Sequence, residues 1–158
     1  MTINHTYNPE NNGFSQIVLD ENNKLFLMSM FNSLVLNYYL RSKISATLNM
    51  FYIYELPIPA VSEKTKQILV EKSFQLLFAN SKKGQFEQLG EEINVKPREI
   101  DAITERAEIE VIIAKELFGL SMDEWKYLTS TFVYGKSDSK KELDEIISES
   151  IEKYSFML

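Results

Sequence analysis

The feature that most constrains this 158-residue chain is an apolar segment at residues 25–40, in which twelve of the sixteen residues are apolar. As a helix it would be about 24 Å long, which is shorter than the roughly 30 Å hydrocarbon core of a bilayer. Lys24 and Arg41 stand at its two ends. Because apolar residues occupy nearly all of its helical faces, protein must surround it. We therefore expect a buried core helix and no membrane span.

Composition excludes several kinds of catalytic site. The chain has no cysteine and one histidine, His5, so disulfides, thiolate catalysis and zinc–thiolate sites are ruled out. A single histidine also argues against a Ser-His-Asp triad and a multi-histidine metal site. The five glycines are too widely spaced to form a dinucleotide, S-adenosylmethionine or ATP phosphate loop. We expect that the chain itself is not catalytic and holds no cofactor or metal.

The first 61 residues predict a small α/β piece around the buried helix. Residues 14–19 read as a short strand, and residues 47–54 are β-branched and aromatic, which favours an extended backbone. Pro57 and Pro59 then form a connector that cannot be helical, because proline donates no hydrogen bond and restricts the residue before it. These elements predict that residues 1–61 form an α/β region.

Beyond the connector, the spacing of apolar residues changes to that of helices. Ser62 is a predicted helix cap, Pro97 suits a first helical turn, and Gly119 is a predicted helix stop. The predicted helices cover residues 62–80, 85–92, 97–118, 121–131 and 138–154. The fold class is therefore mainly α: residues 62–158 form a C-terminal helical bundle, and with residues 1–61 they form one compact unit.

Glu124-Trp-Lys126 has the Glu-x-Lys spacing of restriction-type nucleases. Those sites need a strand and a further acid to hold a divalent metal. Here the triplet follows Ser121, with which Glu124 makes a capping box inside a predicted helix. An acid that stabilises the helix N-terminus is the better interpretation.

Acidic residues on the long helix at 97–118 suggest a carboxylate metal site. Sites of that kind in helical bundles usually add Glu-x-x-His pairs, and the one histidine of the chain, His5, is far from this helix in the sequence. Glu105, Glu108 and Glu116 are therefore expected to form a solvated helix face, with Arg106 and Lys115 between them.

Charge is uneven along the chain, whose net charge is −6. Residues 99–158 hold seven basic and fourteen acidic groups, whereas residues 62–98 have a net charge of +2. Any face that meets nucleic acid is therefore expected before residue 98. Arg41, Lys43 and Ser45 stand among aromatic residues where the apolar helix ends, and we predict that they contact phosphate or base.

Two stretches of the chain resemble a known family. They are Phe31-Asn-Ser33 to Pro59, with Arg41-Ser-Lys43-Ile-Ser45 inside it, and Arg106-Ala-Glu-Ile-Glu110 to Thr131-Phe132, with Leu117-Phe-Gly-Leu120 inside it. Both resemble the C-terminal part of large restriction–modification proteins, in which an N6-adenine DNA methyltransferase precedes a target-recognition region. The resemblance covers about 100 of the 158 residues and keeps the order of the motifs.

The resemblance implies a non-catalytic C-terminal domain or fragment that supports DNA target recognition, with residues 1–61 as part of a target-recognition-like α/β region. In the family, the catalytic core lies upstream of these motifs and uses S-adenosylmethionine, with or without endonuclease activity. The implied partners are DNA, reached through the parent protein, and the upstream methyltransferase domain. A cytoplasmic location is expected, because the first ten residues lack the regions of a signal peptide. The alternative is a helical protein–protein interaction scaffold without DNA contact.

Overall fold

The computed structural model describes residues 7–8, 13–14, 20–44, 50–82, 84–132 and 138–156, and within these ranges the chain is mainly α-helical. The mainly α prediction is therefore confirmed. The strands and helices are β1 Tyr7–Asn8, β2 Gly13–Phe14, α1 Glu21–Phe31, α2 Leu34–Lys43, α3 Met50–Tyr54, α4 Glu63–Ala79, α5 Glu87–Glu92, α6 Ala102–Val111, α7 Met122–Ser130 and α8 Asp138–Phe156. Helix α6 continues directly into a π-helical segment, Ile112–Leu117.

The apolar segment at residues 25–40 is two helices, so the prediction of one continuous helix is wrong. Ser33 separates α1 from α2, and its hydroxyl accepts a hydrogen bond from the N–H of Leu36 over 3.3 Å. Serine favours such an N-cap because its oxygen replaces a missing backbone partner. Leu36 and Met30 are fully buried, but Phe31 is 47% exposed at the break. Protein therefore does not surround every face of this segment.

The small N-terminal α/β piece is not supported. Among the described residues of that part, β1 and β2 pair antiparallel over two residues each, and the other elements are helices. Of the strand predicted at residues 14–19, only Phe14 is described, and it lies in β2. Of the extended segment predicted at 47–54, residues 50–54 are the helix α3. Residues 15–19 and 45–49 lie outside the described residues.

Three predicted helix boundaries in the C-terminal part are confirmed. The Ser62 hydroxyl caps α4 by accepting from the N–H of Thr65 over 3.1 Å. Ser121 and Glu124 form the expected capping box at the start of α7. Gly119 has φ +64°, a left-handed conformation that ends the preceding helix and suits glycine.

The predicted helix start at Pro97 is wrong, because α6 begins at Ala102 with Asp101 as its cap. A side chain from α4 explains the extended backbone before it. Gln75 donates from Nε2 to the carbonyl of Lys96 over 2.8 Å, and its Oε1 accepts from the N–H of Arg98 over 3.0 Å. Both backbone groups are thus satisfied outside a helix, and Gln75 is itself buried.

Helix α6 lies at the centre of the bundle, packed against α4 and α8, while α1 packs on α4 and α2 contacts α7. Buried residues from before and after residue 61 belong to one hydrophobic core, including Leu25, Met30, Leu36, Leu69, Phe74, Ile109, Ile113, Trp125 and Tyr154. Helices α1 and α2 are therefore part of the same packing as the C-terminal helices. None of the helices in the described ranges has the length and apolar character needed to cross a membrane.

Candidate nucleic-acid interface

Arg41 and Lys43 lie in the last turn of α2, and both are exposed. The first turn of the same helix is buried at Leu34, Val35 and Leu36, so α2 passes from the core to the surface along its length. Positive side chains also suit this end, because the partial charge at a helix C-terminus is negative. The structure thus brings together two of the three predicted contact residues; Ser45 lies outside the described residues.

The Arg41 guanidinium is held against the end of α7. Its central carbon lies 4.9 Å from the centre of the Phe132 ring, and Nη2 donates to the carbonyl of Thr131 over 3.4 Å. An arginine that stacks through its face keeps donors along its planar edge, and that edge matches the oxygens of a phosphate. This contact therefore orders the side chain without using all of its hydrogen-bonding capacity.

Lys43 is placed in a similar way. Its Nζ lies 5.6 Å from the centre of the Tyr39 ring, one helical turn earlier in α2. No acidic residue occurs in the sequence between Glu21 and Glu55, so neither α2 nor α3 has a carboxylate, and α2 carries both cations, Arg41 and Lys43. On α3, Phe51 and Tyr54 are 63% and 73% exposed. These two helices therefore carry the kinds of side chain that can contact phosphates and stack on bases.

An ion pair that the sequence patterns did not predict lies at the other end of α2. Glu110 of α6 is fully buried, and its Oε1 accepts from Arg106 Nε over 3.1 Å and Nη2 over 2.8 Å. Its Oε2 accepts from the backbone N–H of Leu34 over 2.9 Å. Arg106 also donates to the carbonyl of Asn32. The pair therefore bonds both sides of the break between α1 and α2.

Burial raises the pKa of Glu110, while the positive charge of Arg106 and the N–H of Leu34 act in the opposite direction. Removing a carboxylate from water penalises its charged form more than these two partners favour it. The sequence did contain a signal for this pair. Arg106 and Glu110 are four positions apart, which places them on one helix face, and Glu110 adjoins an apolar run at residues 111–114.

A second group of charges joins α4, α6 and α8. Lys72 of α4 bonds both Glu105, over 3.2 Å, and Glu108, and Lys153 of α8 bonds Glu108 over 3.0 Å. Arg98 completes the group at 2.7 Å from Glu105. Burial opposes the ionisation of Glu108, but its bonds from Lys72 and Lys153 outweigh burial and hold its pKa below the ordinary value.

These contacts correct the prediction of a solvated acidic face on the long helix. Glu105 is buried at 4% exposure, and Glu108 is partly buried between two lysines. Only Glu116 of the three acids is exposed, and it accepts from the Thr65 hydroxyl over 3.0 Å. The periodicity placed these acids on a helix correctly, but sequence alone did not show that lysines from other helices reach them. In the part of the chain that the structure describes, no group of three or more acidic or histidine side chains could hold a metal ion.

The Glu124-Trp-Lys126 triplet lies in α7, as predicted. The Glu124 carboxylate accepts from the N–H of Ser121 over 2.7 Å, and this bond lowers the pKa of Glu124. A carboxylate that closes a capping box explains this residue without a nuclease role.

Lys140 and Lys141 of α8 differ from Arg41 and Lys43 of α2 in their surroundings. Lys140 bonds Asp144 over 2.7 Å, and Lys141 lies 3.9 Å from Glu145. Each of these acids is one helical turn beyond its lysine, in the acidic last third of the chain. These two lysines are therefore the natural comparison for Arg41 and Lys43.

Comparison of the chain with protein-family models, curated proteins and solved structures gives no significant match.

Proposed function

We propose that this chain is the non-catalytic C-terminal part of a restriction–modification DNA adenine methyltransferase, where it supports target recognition through Arg41 and Lys43. The observation that carries the proposal is that the two stretches of the family resemblance contact each other at two places. Contacts between two stretches so far apart in the chain are expected if both belong to one unit of a recognition domain.

The first place is the break between α1 and α2. Arg106 and Glu110 come from the second stretch, and they bond Asn32 and Leu34 of the first. The second place is the exposed end of α2, where Arg41 of the first stretch lies over Phe132 of the second. The residues that carry the resemblance therefore support one another in space, which favours their belonging to one ancestral unit.

Phosphate contact is the chemistry that the exposed end of α2 supports best. Arg41 is partly ordered before any ligand arrives, so less side-chain entropy would be lost on binding. The absence of acidic residues from positions 22–54 removes repulsion of the DNA backbone there. In the proposal, S-adenosylmethionine and catalysis belong to the upstream methyltransferase domain, and the protein is cytoplasmic.

The coding sequence next to this chain provides the first test. An adenine methyltransferase reading frame, fused upstream or adjacent, is expected. Its absence would reject the proposed parent.

The second test titrates labelled duplex DNA against that parent protein at several salt concentrations. Arg41→Ala with Lys43→Ala should weaken binding and lower the slope of log affinity against log salt by about 2, or about 1 per lost phosphate contact. The matched control is Lys140→Ala with Lys141→Ala, which removes the same number of charges from a segment rich in acids. Equal losses from the two pairs would contradict our choice of the DNA-facing side.

A protein–protein scaffold without DNA contact is the second candidate, favoured by the exposed rings of Phe51 and Tyr54. Large apolar rings at the surface are typical of interfaces. The same titration separates the two functions. Unchanged DNA binding in the Arg41 and Lys43 variant, together with loss of subunit or domain association in Phe51→Ser with Tyr54→Ser, would favour the scaffold.

A further inference from the structure

The direction in which α2 leaves α1 is not determined by the two helices alone. The Ser33 hydroxyl caps α2 through Leu36, and the Asn32 side chain bonds the carbonyl of Met28 over 2.8 Å. The Ser33 hydroxyl also donates to the Met30 carbonyl of α1 over 2.7 Å. All of these local bonds meet at the two residues between the helices, so the angle between α1 and α2 also depends on contacts from elsewhere in the chain.

Arg106 and Glu110 supply those contacts on both sides of the break. Arg106 donates to the Asn32 carbonyl just beyond α1, and Glu110 accepts from the N–H of Leu34, the first residue of α2. The signs also match, because a helix ends in partly negative carbonyls and begins with partly positive N–H groups. Ser33 and the Glu110 carboxylate are fully buried, so water does not compete for the bond to Leu34, whereas the bond from Arg106 to Asn32 lies on the exposed side of the break.

We propose that the Arg106–Glu110 pair, whose carboxylate is fully buried, is a positioning device that sets the direction of α2 and thereby places Arg41 and Lys43. The importance of this placement for DNA rests on the proposed function, whereas the placement itself does not. Ten residues of helix measure about 15 Å, so a tilt of about 10° at Leu34 would move the far end by roughly 3 Å. Such a displacement exceeds the tolerance of a hydrogen bond to phosphate.

The Arg41 contact with Phe132 and Thr131 also restrains α2, at its other end. That contact is exposed, and its hydrogen bond is long at 3.4 Å, so water competes with it. The Glu110 carboxylate is fully buried, and its bonds to the Leu34 N–H, over 2.9 Å, and to Arg106 Nη2, over 2.8 Å, are shorter. We therefore assign the direction of the helix to the Arg106–Glu110 pair and treat the Arg41 contact as the weaker restraint.

The chain is well suited to a distance measurement, because Trp125 is its one tryptophan and it has no cysteine. Trp125 is buried in α7 and serves as the energy-transfer donor. A Ser42→Cys substitution on the exposed end of α2 takes an acceptor dye without altering Arg41 or Lys43. The full chain is measured, with helix content followed by circular dichroism in every variant.

Glu110→Leu and Arg106→Leu should each change the transfer efficiency and broaden the distance distribution, at native helix content. Glu110→Gln keeps an acceptor for Leu34 and should leave the distribution close to wild type. Glu108→Leu is the matched control on the same helix. It breaks the bonds to Lys72 and Lys153 and should lower stability without moving α2.

An unchanged distance in both leucine variants would overturn the proposal. If the leucine variants fail to fold, the distance is measured in Arg106→Gln. A smaller change in the distance distribution is expected there, and an unchanged distribution would overturn the proposal. DNA titration of the parent protein is a separate measurement. If Arg106→Leu weakens DNA binding although Arg41 and Lys43 are intact, the placement of α2 matters for DNA binding. If Arg41→Ala leaves DNA binding unchanged, only the proposed function is rejected.

Discussion

Glu110 accepts a hydrogen bond from the backbone N–H of Leu34 over 2.9 Å, although 76 positions of sequence separate the two residues. The bond joins the centre of the bundle to the first turn of α2. Because Glu110 is fully buried, removing its acceptor oxygen would leave the Leu34 N–H without a partner and away from water. One side chain on α6 therefore acts together with the Ser33 cap to satisfy the first turn of α2.

Two substitutions of Glu110 should separate the contribution of its acceptor oxygen to stability from the contribution of its charge. Glu110→Gln keeps an acceptor for Leu34 and should change the free energy of unfolding by less than about 1 kcal/mol at pH 7, because burial already penalises the charge. Glu110→Ala leaves the Leu34 N–H unpaired and opens a cavity, so it should cost about 2–4 kcal/mol. Urea denaturation of the three proteins measures both values. Equal costs for the two variants would show that the charge, not the oxygen, is what matters.

Wild type and Glu110→Gln should also differ in how their stability depends on pH. The pKa of Glu110 is raised in the folded chain above its ordinary value of 4.5, so the folded state binds this proton more tightly than the unfolded state does. Stability from this group is therefore lost as pH rises through the interval between the two pKa values. The free energy of unfolding is measured for both proteins from pH 4 to pH 8. Wild type should lose stability relative to Glu110→Gln as the pH increases. A difference that moves the other way would contradict the direction of the shift.

Leu36 is the most sensitive position of the apolar segment. It is fully buried in α2, so Leu36→Asp places an unpaired charge in the core and should cost about 3 kcal/mol or more, enough to unfold the chain or make it insoluble. The neighbouring Asn37 is exposed, so Asn37→Asp adds the same charge to the same helix in water and should have little effect. Soluble Leu36→Asp with an unchanged melting temperature would contradict the placement of α2.

The helical part of the fold could be predicted because its signals are local. Ser62, Ser121 and Gly119 act within a few residues of themselves, through a hydroxyl acceptor or a permitted left-handed conformation. The sequence placed α4 and α7 close to their observed bounds for that reason. The exposed position of Arg41 followed in the same way, from where the apolar segment ends.

The features that were missed depend on distant contacts. Pro97 does not begin a helix, because Gln75 bonds the backbone on either side of it. Residues 50–54 are helical although their composition favours strands, as tertiary context commonly overrides weak β-propensity. Glu105 and Glu108 were expected on a solvated helix face, but Lys72 of α4 bonds both of them, and Lys153 of α8 bonds Glu108. Local signals predict elements well, but they do not report which buried groups find partners across the chain.

Gly90 is required by packing, not by backbone conformation. A Cβ at this position of α5 would lie 2.8 Å from the Phe74 Cζ and 2.8 Å from the Val95 carbonyl oxygen. Phe74 is fully buried, and the Val95 N–H bonds the Gly90 carbonyl over 2.9 Å, so neither neighbour can move freely. Gly90→Ala should therefore destabilise the chain by about 1–3 kcal/mol, despite the better helix propensity of alanine. Glu91→Ala, at the exposed neighbouring position, should change the free energy of unfolding by less than about 0.5 kcal/mol. Thermal unfolding of wild type and the two variants measures both effects.

Glu108 should contribute to stability with the opposite pH dependence to Glu110, although both lie on α6. Bonds from Lys72 and Lys153 hold the pKa of Glu108 below its ordinary value of 4.5, because they outweigh the effect of burial. The unfolded state therefore binds this proton more tightly, and the contribution is present above pH 4.5 and is lost as pH falls through the folded pKa. At pH 7, Glu108→Gln should cost about 1–2 kcal/mol, since it weakens two charge-assisted bonds that are only partly exposed.

The measurement is urea denaturation of wild type and Glu108→Gln at pH 7 and at steps below pH 4.5, with Glu145→Gln as the matched control. Glu145 is 52% exposed and lies 3.9 Å from Lys141, so its substitution should change stability by less than about 0.5 kcal/mol at either pH. The gap between wild type and Glu108→Gln should narrow as the pH is lowered. A gap that stays constant down to pH 3 would mean that Lys72 and Lys153 do not stabilise the Glu108 carboxylate.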